Sequence, residues 1–176
     1  MSMGNLFDRL TRLLKHQWLG SGPLPPSLRG AAMKRLADRV AQSETRHSGQ
    51  IRICLEASLP WRYVWRDARA RERAISLFGS LRVWDTEHNN GVLIYLLLAE
   101  RSIEIVADRA LARQVSEQVW GALIARMAET LRSGRFEEAL NQAVDEVSAL
   151  LEAHCAGLAR TDNELPDAPV IASSRL

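Results

Sequence analysis

The sequence predicts an α/β fold: a three-layer α/β/α sandwich on a small mixed sheet, preceded by an amphipathic N-terminal helix. Three observations carry this. Val92 to Ala99 is an unbroken apolar run, which a strand needs only when both of its faces are covered. Apolar stripes at helical spacing lie before and after it in sequence, so helices are available for both faces. Ile51, Ile53 and Leu55 alternate with Arg52, Cys54 and Glu56, the period of a strand with one face better buried than the other.

Taken in order, Leu6, Phe7, Leu10, Leu13, Leu14 and Trp18 recur at three- and four-residue spacing, with Arg9, Arg12, Lys15 and His16 on the other side. This is a basic amphipathic helix, ended by Gly20-Ser21-Gly22-Pro23. Pro25-Pro26-Ser27 starts a second helix, because proline's fixed φ suits a first turn, and Ala32, Leu36 and Val40 mark its stripe as far as His47. Ser48-Gly49 breaks it before the strand at Ile51, whose Cys54 is expected to face a helix layer. Leu59-Pro60-Trp61 turns the chain out of that strand. Ala74, Ile75, Leu77, Phe78 and Leu81 then form a helical face laced with Arg66, Arg69, Arg71, Glu72 and Arg73, and this arginine run reads as solvated.

The run from Val92 pairs with Ile103–Ala107 through a turn at Glu100-Arg101, hence antiparallel, whereas the long connection from the first strand suits a parallel crossover. Val115, Val119, Leu123, Met127 and Leu131 make a long helix, for which Ser133-Gly134 supplies the left-handed cap. Phe136, Leu140, Val144, Val147 and Leu151 build the last one. From Gly157 onward there is no periodicity, and disorder is expected. The organisation read from this is a helix and linker over 1–24, one domain over 25–156 and a tail over 157–176.

The chain has 176 residues, 47% hydrophobic and 25% charged, enough for one core, and its net charge of +2 gives no basic field of the kind nucleic acid demands. No nucleic-acid partner is expected. Cys54 and Cys155 lack ligand spacing and read as reduced, buried thiols. No apolar run reaches the roughly 18 residues of a membrane span, and Arg9, Arg12 and Lys15 interrupt any signal-peptide core. The expected location is the cytoplasm, with peripheral contact to the inner membrane through residues 5–18.

The loop before the long strand holds the candidate chemistry. Asp85, Glu87 and Asn89 alternate oxygen donors, but glycine falls one place late and Leu96 stands where an EF-hand has its glutamate, so an EF-hand is excluded. A different hard-cation site from Asp85, Glu87, Asn89 and Asp108 is the metal reading, with calcium or magnesium weakly bound. The same residues have another reading. Asp85 and Asn89 can bond turn amides, and Asp108 can cap the next helix. His88 lies in the loop without a nucleophile and reads as a turn histidine; His47 reads as a favourable charge at a helix end. No catalytic residue is assigned, since no Ser-His-Asp or Cys-His arrangement and no glycine-rich phosphate loop can be assembled.

His47-Ser48-Gly49-Gln50-Ile51, Arg71-Glu72-Arg73-Ala74, Val83-Trp84-Asp85-Thr86 with Asn89-Asn90-Gly91-Val92-Leu93-Ile94-Tyr95, and Ile103 to Arg109 together resemble the TPM domain family, in its soluble bacterial single-domain branch. The resemblance covers about Leu28 to His154. It implies an α/β/α sandwich, divalent-cation binding, acid-phosphatase activity and a part in the repair or assembly of membrane complexes. The chain departs from the family pattern at Asn89, where many members carry aspartate, and at Val106-Ala107-Asp108, where they carry Gly-x-Gly. The functional expectation is an accessory or docking module in complex assembly or maintenance near the membrane surface, with an unknown protein partner. A divalent-cation-dependent phosphatase is the alternative.

Overall fold

A computed structural model describes residues 11–18, 24–155 and 163–172. Residues 11–18 are helical, here α1. Pro26–Leu28 forms a single 3-10 turn, followed by α2 (Ala31–Ser43), β1 (Gln50–Glu56), α3 (Trp61–Trp65) and α4 (Ala70–Ser80). Then come β2 (Gly91–Leu97), β3 (Ser102–Ala107), α5 (Arg109–Ala112), α6 (Glu117–Arg132), α7 (Phe136–Cys155) and β4 (Val170–Ile171).

The four strands make one sheet in the order β3-β2-β1-β4. β1 runs parallel to β2, with Ile53 beside Ile94, and parallel to β4; β2 and β3 are antiparallel, with Ile94 beside Ile105. Every residue of β2 is buried, as its apolar run requires of a strand covered on both faces. Ile53, Ile94 and Ile105 pack with Leu36 and Val40 of α2, Met127 of α6 and Leu140 and Val144 of α7. On the other face Cys54, Leu93 and Tyr95 pack with Tyr63 and Val64 of α3 and Leu77 of α4. The fold is therefore the mixed-sheet α/β/α sandwich that the pattern predicts. Gly134, with φ of +76°, ends α6 as expected.

Several local expectations are corrected. The helix expected from Pro25 is interrupted, because Gly30 takes φ of +51° and α2 starts only at Ala31. His47 lies beyond the end of α2, buried, with Nδ1 3.1 Å from the Gly49 carbonyl. The second face of β1 is drier than a solvent face, since Glu56 is buried together with Cys54, but Arg52 is half-buried there and the face of Ile51, Ile53 and Leu55 is the better covered, as the alternation predicts. The arginine run is not uniformly solvated: Arg73 is only 1% exposed.

Disorder over 157–176 fails for residues 163–172. The Gln50 amide oxygen accepts the N–H groups of Glu164 and Leu165, Arg52 donates to the Pro166 and Ala168 carbonyls, and β4 completes the sheet beside β1. Period-based reading misses such a segment because its order comes from partners far away in sequence. The short helices α3 and α5 are missed for a related reason, as neither is long enough to display a period.

Candidate functional site

The two ends of the sheet carry different polar chemistry. At the end where β1 and β2 begin and β3 finishes lies the loop of the predicted cation ligands. An ideal Cβ on Gly91 would sit 2.0 Å from the Val83 carbonyl oxygen, so only glycine lets the loop press this closely onto the start of β2. Asn89 adopts φ of +52°, a left-handed turn that asparagine tolerates, and its carbonyl accepts the Ala110 N–H.

The four predicted ligands do not form a common cage. Asp85 is exposed and lies 3.9 Å from the Arg82 guanidinium. Glu87 is exposed, and its backbone N–H donates to Glu164 from the C-terminal segment at 2.8 Å. The side-chain oxygen of Asn89 accepts from Arg109 Nε at 2.8 Å. Asp108 caps α5, with Oδ1 accepting the Arg109 N–H at 2.7 Å. Turn and cap chemistry thus accounts for Asn89 and for one oxygen of Asp108. Among the described residues, no group of three His, Cys, Asp or Glu is placed to hold a metal ion.

Three buried atoms at this end nevertheless lack a hydrogen-bond partner: Asp108 Oδ2, Asn90 Oδ1 and His88 Nε2. Asn90 is fully buried, donating its amide to Ser48 at 3.1 Å, and Ser48 in turn donates to the Cys155 carbonyl. Of the oxygens at this end, Asp108 Oδ2 and Asn90 Oδ1 are therefore the buried ones without a hydrogen-bond partner among the described residues. Asn90 was legible in sequence only as part of the Asn-Asn-Gly turn.

At the opposite end, where β1 and β2 finish, two acidic residues each gather an arginine. Glu56 takes hydrogen bonds from Arg73 at 2.7 and 3.0 Å and from the Tyr95 hydroxyl at 2.6 Å, all in the dry layer beneath α4. Burial, and then the Glu56 charge, push the Tyr95 hydroxyl well above the ordinary tyrosine range. The same two causes raise the Cys54 thiol to about 12, so it stays protonated and inert at neutral pH.

Glu100 instead fastens α1. It accepts Arg12 Nε at 2.8 Å and lies 3.1 Å from His16 Nε2, while Arg12 also reaches Asp67 at 2.8 Å and the Ala68 carbonyl at 2.7 Å. The Leu59 N–H donates to His16 Nδ1 at 3.0 Å, which places the imidazole proton on Nε2, facing Glu100. Beside this latch opens a cleft of about 730 Å³ bordered by Lys15, Arg69 and Glu104.

The latch turns the Arg12 and His16 side of α1 inward. His16 is buried and Arg12 half-buried, whereas Leu14 is 66% and Trp18 83% exposed; among the described residues of the predicted apolar stripe, Leu13 alone packs partly on the core. Leu6, Phe7 and Leu10 lie outside the described residues. On the adjoining α3, Trp61 and Trp65 are 74% and 68% exposed, one helical turn apart. Sequence periodicity could find both apolar pairs but not the direction they face.

Fold and site together define an α/β/α domain with polar loops at one sheet end and an arginine-latched helix at the other. The TPM domain profile matches residues 27–150, and the chain belongs to the TPM domain family. Among solved structures it is similar to the NMR structure of the BA42 protein from the psychrophilic bacterium Bizionia argentinensis. The TM-score is 0.72 at 22% identity, covering 85% of this chain and 99% of that one, which is a likeness of fold. No protein of curated function matches the sequence. Among the described residues no helix is long and apolar enough to cross a membrane.

Proposed function

We propose that the chain is a non-catalytic docking module acting in the assembly or maintenance of protein complexes. One observation carries this reading. Of the eight exposed large apolar side chains among the described residues, four lie on the neighbouring helices α1 and α3: Leu14, Trp18, Trp61 and Trp65. Apolar side chains scattered singly are ordinary, whereas exposed apolar pairs one turn apart on two adjoining helices mark an interaction site. The latch from Arg12 and His16 to Glu100 holds α1 in place, so the face exists before any partner arrives. Gentle lysis of producing cells followed by high-speed sedimentation tests it. The wild-type chain should pellet with large assemblies or membranes, and Trp61→Ser with Trp65→Ser should move it to the supernatant with its melting temperature unchanged. Wild-type chain found wholly in the supernatant would end this reading.

A divalent-cation-dependent phosphatase is the second reading, supported by the unpartnered oxygens of Asp108 and Asn90. A hard cation takes about six oxygens, so backbone carbonyls and water would have to complete these two, and binding should be weak. Calorimetric titration with calcium and magnesium should show heat that Asp108→Asn abolishes and that Asn89→Asp increases. Equal, featureless titrations of all three proteins would remove the support for this reading.

A further inference from the structure

We infer that the tryptophan face of α1 and α3 docks directly onto an anionic lipid bilayer. The inference rests on the docking reading above and names the occupant of that face. Two properties separate a lipid surface from a protein groove. The first is composition: residues 11–18 and 61–73 contain seven arginine and lysine residues against two carboxylates, although the chain as a whole is nearly neutral. Arg73 and Arg12 are absorbed by Glu56 and Glu100, and Arg66 lies 3.1 Å from Glu72. Lys15, Arg62 and Arg69 form no salt bridge with the described residues and are exposed; Arg62 follows Trp61 on α3, while Lys15 and Arg69 stand at the rim of the cleft that Glu104 also borders. Cations flanking an apolar ridge complement anionic headgroups, where each is worth several-fold in affinity.

The second property is the identity of the apolar groups. Trp18, Trp61 and Trp65 dominate the face, and tryptophan sits at the headgroup level of a bilayer, its ring buried and its N–H still wet. Trp61 and Trp65 are separated by one turn on α3, as are Leu14 and Trp18 on α1, so each helix offers one narrow apolar edge rather than a broad stripe. Narrow edges suit shallow insertion. The inward-facing pair on α1, Arg12 and His16, stays engaged with Glu100 and Leu59, so docking requires no rearrangement of the domain.

Co-sedimentation with vesicles tests the inference, using phosphatidylglycerol mixed equally with phosphatidylcholine against phosphatidylcholine alone. The full chain should bind the mixed vesicles at least about tenfold more tightly, and raising the salt should erase most of that difference. Trp61→Ser with Trp65→Ser should lower binding to the mixed vesicles by about tenfold or more. Lys15→Glu with Arg62→Glu should remove the preference for anionic lipid. Both pairs are exposed, so unchanged melting curves confirm that the fold is intact. Failure to bind the mixed vesicles, or equal binding to both kinds, overturns the lipid assignment. A tryptophan-dependent pellet from lysed cells combined with no vesicle binding overturns the lipid occupant while leaving the docking reading standing.

Discussion

Glu56 and Glu100 occupy matching places, one closing β1 and the other just past the end of β2, and each is held by an arginine from a helix on the same side of the sheet. In the pair of Arg73 with Glu56 the side chains are 1% and 2% exposed, whereas in Arg12 with Glu100 they are 22% and 24% exposed. That difference in water decides what each can do. The dry pair is fixed by the Tyr95 hydroxyl, and its guanidinium lies 5.4 Å from the Tyr63 ring, so it is part of the second core. Burial works against the charge on Arg73, but hydrogen bonds and attraction from Glu56 prevail and hold its pKa above the ordinary value. The half-wet pair fastens a helix that carries exposed tryptophan, and water limits the strength of its grip.

The largest expected effect comes from breaking the dry pair. Arg73→Met leaves the Glu56 carboxylate buried with the Tyr95 hydroxyl still donating to it, and stranding a buried charge costs about 3–5 kcal/mol, a large part of a domain's stability. A drop in melting temperature on the order of 10 °C or more is expected, read by calorimetry. Adding Glu56→Gln should recover part of the loss, because the stranded charge is then gone. If Arg73→Met melts with the wild type, the pair is not the structural element that its burial implies.

The two arginines also show how far sequence carries. Both stand among basic residues on segments with apolar stripes, and nothing in spacing separates Arg73, which is in the core, from Arg71, which is half-exposed. Their fates depend on which carboxylate a distant strand brings underneath. Glu56 is supplied by β1, which meets Arg73 in space but stands 17 positions before it in sequence. The sheet itself was legible because one strand alternates and the other is an unbroken apolar run; Ile51 to Leu55 lies within β1 and Val92 to Leu97 within β2, with Leu98 and Ala99 in the turn that follows. The loop before β2 was half legible. Oxygen-bearing residues at alternate positions could be seen, but Asn89 turned to Arg109 and Asp85 toward Arg82, and those partners are set by backbone geometry rather than by residue type. The strand at Val170 left no local signal at all, since two residues have no period.

The smallest effect sharpens the comparison at its wet end. Burial opposes ionisation of Glu100, but hydrogen bonds from His16 and Arg12 and the Arg12 charge outweigh it, holding the carboxyl below its ordinary value. A carboxyl with a depressed folded pKa stabilises the folded form above its unfolded pKa, and that contribution disappears as pH falls through the folded value. Glu100→Gln should therefore loosen α1 at neutral pH, with a cost of about 0.2–1 kcal/mol given the solvent screening of the pair. Amide hydrogen exchange over residues 11–18 reads this directly: the variant should exchange several-fold faster at neutral pH. The gap from wild type should narrow as pH falls below the ordinary carboxylate range, where the wild-type carboxyl also loses its charge. Because α4 is anchored by the dry pair, exchange over 70–80 should stay the same in both proteins. Equal protection of residues 11–18 in variant and wild type at neutral pH would mean that Glu100 does not hold the helix, and that α1 is kept in place by Asp67 and Leu59 instead.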